Sequence, residues 1–123
     1  MISAAESTEI KQAIEPTTPD WLDGDALDLW RELTPQLTEA GIIGSIDRNC
    51  LARYCRLWQR WRQSENHIDD HGAVVKAPSG YPVLNPHVSI ASRIASELGR
   101  LERQLGLTPA ARSTKATTTL LRG

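Results

Sequence analysis

The clearest periodicity in the chain lies toward its C-terminal end, where Ile90, Ala91, Ile94, Ala95, Leu98, Leu101 and Leu105 recur at spacings of one, three and four. Those steps return to one face of a helix turning about 100° per residue. Asn85-Pro86 supplies a capping side chain and a first-turn proline ahead of the stripe, and Gly106 with Leu107 supplies a stop and its apolar latch behind it. A helix is therefore expected from about Pro86 to Leu105. Its small residues Ala91, Ser92, Ala95 and Ser96 permit close approach, and the alternation of its leucine spacings suits a bundle or a seam between subunits.

An earlier segment, about residues 46–70, carries a broader stripe. Cys50, Leu51, Tyr54, Leu57, Trp58, Trp61 and Ile68 fall in one arc, Arg53, Arg56 and Arg60 fall opposite, and Arg48 and Arg62 flank the stripe. This predicts a long amphipathic helix with Ser45 as N-cap, Asp47 in its first turn and Gly72 as its stop. Cys50 and Cys55 point about 140° apart on such a helix, which makes buried free thiols the expected state and a disulfide an unexpected one.

The first helix is less regular. Thr18-Pro19 has the form of a cap and first-turn proline, with Asp20 and Asp23 at the positive end of the helix dipole. Leu22, Leu27, Leu29, Trp30 and Leu33 give a partial stripe, interrupted by Gly24, and Thr34-Pro35 predicts a kink or restart before Gly41 ends the element. Ile42 and Ile43 then pack into the turn. Between the second and third helices, Ala73 to Lys76, Pro78-Ser79-Gly80 and Tyr81 to Leu84 read as a short β-hairpin, with Pro82 marking an edge strand. Two strands alone are barely stable in water, so the hairpin is expected to lie on helices or on a neighbouring subunit. The whole reads as a mainly α chain of three main helices with this hairpin between the second and third. Residues 1–17 form an expected flexible arm, 18–112 the helical domain and 113–123 a frayed tail.

Composition sharpens this picture at two points. The chain has 123 residues, four Trp and no Phe, so its core rests on Leu, Ile, Ala and indoles, and a chain this small gains from self-association. The net charge of −1 conceals an asymmetry: residues 1–47 hold ten acids against Lys11 and Arg31, whereas residues 48–123 hold twelve basic residues against five acids. The first part repels phosphate and the second attracts it. No run of about 18 apolar residues is present, and the opening MISAAESTEIKQ lacks the basic start and apolar middle of a signal peptide. A soluble intracellular protein without membrane contact is expected.

Candidate chemistry is sparse. No phosphate-binding Gly-rich loop and no nucleophile elbow occurs, so catalytic residues and cofactors are expected to be none. His67 and His71 stand at i, i+4 beside Asp70, which is a metal-capable spacing but a thin ligand set, and no metal is expected. The basic groups Arg48, Arg53, Arg56, Arg60, Arg62 and Lys76 are candidates for phosphate contact, since guanidinium forks suit phosphate and clustered positive charge gives sequence-independent affinity. The bland alternative is a solvated face, or one paired with the ten acids of the N-terminal segment across a subunit contact. Trp58, Trp61, Ile94, Leu98, Leu101 and Leu105 are candidates for an oligomer interface or core.

Taken in order, Trp30, Leu33, Pro35 and Leu37 before Gly41, then Asp47, Leu51, Tyr54, Cys55 and Trp58, then Gly72, Asn85-Pro86, and finally Leu105-Gly106-Leu107-Thr108-Pro109 with Arg112, resemble the small-subunit family of tailed-phage terminases. The resemblance spans about residues 19–112. It implies a non-enzymatic subunit that assembles into a homo-oligomeric ring in the host cytoplasm. It further implies recognition of the packaging site on phage double-stranded DNA and delivery of that site to the terminase large subunit, which holds the ATPase and nuclease. Two other readings stay open on the residues alone. One is a dimeric helical transcription regulator placing the second helix in a DNA groove; the other is a small metal-dependent nuclease using His67, Asp69, Asp70, His71 and His87.

Overall fold

The computed structural model describes residues 15–44 and 47–108. Its elements are α1 (Gly24–Glu39), α2 (Arg48–His71), β1 (Val74–Lys76), β2 (Pro82–Leu84) and α3 (Pro86–Leu105). Residues 1–14 of the expected arm at 1–17, the N-cap Ser45, the turn at Pro109, Arg112 and the expected tail lie outside the described residues.

Helix α3 forms as its sequence dictates. Asn85 Oδ1 accepts the His87 backbone N–H at 3.0 Å, and Pro86 fills the first helical position, where no N–H is needed. At the other end Gly106 adopts the left-handed conformation, Leu107 N–H reaches the Glu102 carbonyl at 2.8 Å, and Gly106 N–H reaches Arg103 at 3.3 Å. These two bonds satisfy carbonyls that a helix end would otherwise leave open. The same bonding closes α1, where Ile42 N–H meets the Leu37 carbonyl at 2.9 Å and Gly41 N–H meets Thr38 at 3.0 Å.

Helix α1 departs from expectation twice. Thr18 does not cap it: the Thr18 hydroxyl accepts the Trp30 indole N–H at 3.0 Å, because a buried indole needs an acceptor. Pro19 to Leu22 forms a separate turn, closed by a 3.3 Å bond, and the helix opens at Gly24 after an extended Asp23. Nor does the helix restart at Pro35: it runs through that residue. Proline cannot donate to the Arg31 carbonyl, but Arg31 and Pro35 both lie on the exposed side, where water can satisfy the freed group.

Helix α2 is the middle layer, packed by α1 on one side and more extensively by α3 on the other. Helices α2 and α3 run antiparallel, since Tyr54 near the start of α2 meets Glu102 near the end of α3, while His67 near the end of α2 stacks on His87 at the start of α3. Leu22, Ala26, Trp30, Leu37, Leu51, Ala52, Cys55, Leu98, Leu101 and Leu105 make one core cluster. Ala52 and Cys55 widen the buried face of α2 beyond the arc read from its large side chains, because α1 covers that flank.

The hairpin pairs Val74 with Leu84, Val75 with Val83 and Lys76 with Pro82 in antiparallel register. Ala77 N–H to Tyr81 at 2.8 Å and Gly80 N–H to Ala77 at 2.7 Å close its tip. Of the two expected supports, the chain's own helices leave it largely uncovered: Val74 is 62% exposed, Tyr81 72% and Leu84 56%.

Candidate functional site

Two of the six basic candidates are occupied inside the chain. Arg56 donates to the Asp23 carboxylate at 2.9 Å, to the Trp21 carbonyl at 3.1 Å and to Gln59, with its guanidinium 5.8 Å from the Trp21 ring centroid. Arg48 donates to the Thr17 carbonyl at 2.8 Å. Both clamp the segment before α1 onto α2. At Arg56 an N-terminal acid is thus paired within one chain, where charge alone points to a contact between subunits.

Arg53, Arg60, Arg62 and Lys76 remain exposed. Arg62 lies on the side away from Arg53 and Arg60, over its neighbour Trp61, and Lys76 sits on the hairpin. Arg53 and Arg60 are seven residues apart, two turns, and so share one face of α2. The antiparallel register brings Glu97 and Arg100 of α3 next to Arg53, whose charge is felt at the Glu97 carboxylate. One heptad back along α3, Arg93 falls opposite Arg60 by the same register. Four exposed arginines, Arg53, Arg60, Arg93 and Arg100, therefore line one edge of the α2–α3 seam, with Glu97 as the acid among them.

Glu97 is bonded by both Nε and Nη2 of Arg100. That bonding, against weaker desolvation, holds its carboxyl below the usual carboxylate range. Arg93 and Arg100 were missed in the sequence because α3 was read for its leucines. The signal was present as the same seven-residue step that links Arg53 to Arg60.

The other edge of the seam is apolar. Tyr54, Trp58, Trp61, Ala95, Leu98 and Glu102 line a cavity of about 240 Å³ open to solvent. Tyr54 O–H points to Glu102 Oε2 at 3.4 Å, and burial together with that carboxylate pushes the phenol up to about 12. Of the six interface candidates, Leu98, Leu101 and Leu105 are 6%, 2% and 2% exposed and serve the chain's own core. Trp58, Trp61 and Ile94 are half-buried, packed against that core with part of each surface open.

At the far end of the seam His71, His67 and His87 stack in a column, with ring centroids 4.1 and 3.9 Å apart. Asn85 is fully buried beneath them, its amide donating to the Gly72 carbonyl at 3.0 Å and meeting His67 Nδ1 at 3.1 Å. Desolvation, then His87 and His71, lower the His67 pKa, against a weaker opposing effect of Asp70. Face-to-face rings direct their nitrogens side by side, not toward a common centre, and among the described residues no group of three or more His, Cys, Asp or Glu could hold a metal ion. Cys50 and Cys55 are free thiols, and burial pushes Cys55 up to about 12. No helix among the described residues is long and apolar enough to cross a membrane.

Residues 26–119 match the family model described as phage terminase, small subunit. Neither a curated protein nor a solved structure matches the chain.

Proposed function

The chain belongs to the phage terminase small-subunit family, and on that premise we propose that it is the oligomeric, non-catalytic component that binds viral duplex DNA at the packaging site and presents it to the large ATPase and nuclease subunit in the host cytoplasm. The observation that carries the DNA part of this reading is the arginine-lined edge of the α2–α3 seam. Guanidinium groups on two rigid, mutually packed helices lose little freedom on meeting phosphate, and a row of them supplies backbone affinity without reading bases. Sequence preference in such a system comes from repetition of the contact around an assembly and from DNA shape.

The rival readings fare less well. A groove-reading regulator of the helix-turn-helix kind joins two short helices, whereas α2 is a single helix of 24 residues. A metal-dependent nuclease needs convergent ligands, whereas the three histidines stack.

Retention of duplex DNA at low salt tests the proposal. The native chain is expected to shift the duplex, and Arg53→Ala with Arg60→Ala to weaken that shift several-fold, while Arg56→Ala acts through stability and not through DNA. A native chain that leaves duplex DNA untouched at low salt overturns the reading.

A further inference from the structure

The hairpin and the aromatic cavity are each incomplete in one chain, and their chemistries match. A two-stranded hairpin is marginal on its own, yet Val74, Tyr81, Val83 and Leu84 of this one are 39–72% exposed, with no helix among the described residues covering them. Its tip brings one positive charge, Lys76, and no acid between Ala73 and Leu84. The cavity is walled by Tyr54, Trp58, Trp61 and Leu98, and the charge in its lining is the Glu102 carboxylate. At about 240 Å³ it falls below the roughly 300–1,000 Å³ of small-molecule pockets, a size suited to one large side chain. Tyr81 offers an aromatic ring for the indoles and an O–H for Glu102, and at 72% exposure it is not lodged in its own chain's cavity.

We propose that the hairpin of one copy docks in the α2–α3 cavity of the next, with Tyr81 as the inserted side chain. This rests on the oligomeric reading above and gives it a geometry. Knob and socket are different surfaces of the same molecule, so the contact is head-to-tail, and repeated head-to-tail contacts close into a ring or extend as a filament. The socket lies on the edge of the seam away from Arg53, Arg60, Arg93 and Arg100, so assembly leaves the arginines open.

Two exposed positions give variants that keep the core intact. Tyr81→Ala removes the knob, and Ala95→Arg fills the socket from its rim. By mass photometry and sedimentation the native chain is expected to assemble, and each variant to need at least tenfold higher concentration to do so, with unchanged helical circular dichroism. In a Cys50→Ser background, mixing Tyr81→Cys chains with Ala95→Cys chains under mild oxidation is expected to give a disulfide-linked dimer joined between positions 81 and 95. Native-like assembly by both single variants, or links formed between two copies of position 81 instead, overturns the docking while leaving the oligomeric reading in place. A native chain that stays monomeric at high micromolar concentration overturns both.

Discussion

Single side chains set where this small core is strong and where it is weak. Trp30, 2% exposed and bonded through its indole to Thr18, anchors the segment before α1 to the rest of the molecule. Close by, the Thr34 and Thr38 hydroxyls are buried without a hydrogen-bond partner among the described residues. Burying an unsatisfied hydroxyl carries a desolvation cost that an apolar group of the same shape avoids, so Thr34→Val is expected to raise stability by about 1 kcal/mol. Thermal unfolding followed by circular dichroism would show this as a rise in Tm of about 5 °C, and a fall would mean that the hydroxyl has a partner. Glu97 is a liability of another kind, since it holds Arg100 within the arginine-lined edge. Glu97→Gln frees that guanidinium and removes the competing negative charge; fluorescence anisotropy at low salt should show duplex binding tightened roughly two- to fivefold, on the scale of an exposed ion pair. At this scale the sequence was only partly legible. The arginines of α2 stood out by number, but nothing in a linear reading could tell that Arg56 would turn to Asp23 while Arg53 and Arg60 stayed exposed, because that depends on where the segment before α1 lands.

At the scale of elements, what could be read was whatever local chemistry decides. Asn85-Pro86 and Gly106-Leu107 bound α3 because a cap, a fixed proline φ and a left-handed stop act within a few residues of themselves. Thr18-Pro19 misled for the complementary reason: its local form is that of a cap, but the Trp30 indole twelve residues away takes the hydroxyl. The restart expected at Pro35 does not occur, because its cost depends on whether water reaches the freed carbonyl, which is a tertiary fact. The histidine column was likewise out of reach, since His87 joins His67 and His71 only when α3 folds back along α2. That column makes the hairpin end of the molecule acid-sensitive. With the His67 pKa lowered in the folded chain, the unfolded chain takes up protons that the folded one refuses once pH falls below about 6.5. Stability is therefore expected to be full above that range and to decline on acidification until the folded imidazole itself titrates. Chemical denaturation between pH 7.5 and 5 checks the sign, and a flat or rising stability toward pH 5 contradicts it. Asn85 supports the same junction as cap, as donor to Gly72 and as partner of His67. Asn85→Ala should cost about 2 kcal/mol by loss of the cap and an unpaired buried carbonyl.

The whole molecule is a charge-divided, three-helix unit whose long seam presents arginines along one edge and aromatic residues along the other. The segment from Thr17 to Asp23 is drawn onto α2 by Arg48 and Arg56, which leaves the remaining positive charge of α2 and α3 facing outward. The function proposed above gives this division its sense, because a subunit acting that way would bind its sisters and a polyanion at once. The most direct measurement follows from that separation. The native chain and the variant combining Arg53→Ala, Arg60→Ala, Arg93→Ala and Arg100→Ala should be titrated with one duplex across a range of salt concentrations, and the mass of each measured alongside. Unchanged assembly mass, with weaker binding and a shallower fall of log affinity with log salt in the variant, is the predicted result. Superimposable salt titrations for the two proteins would contradict it.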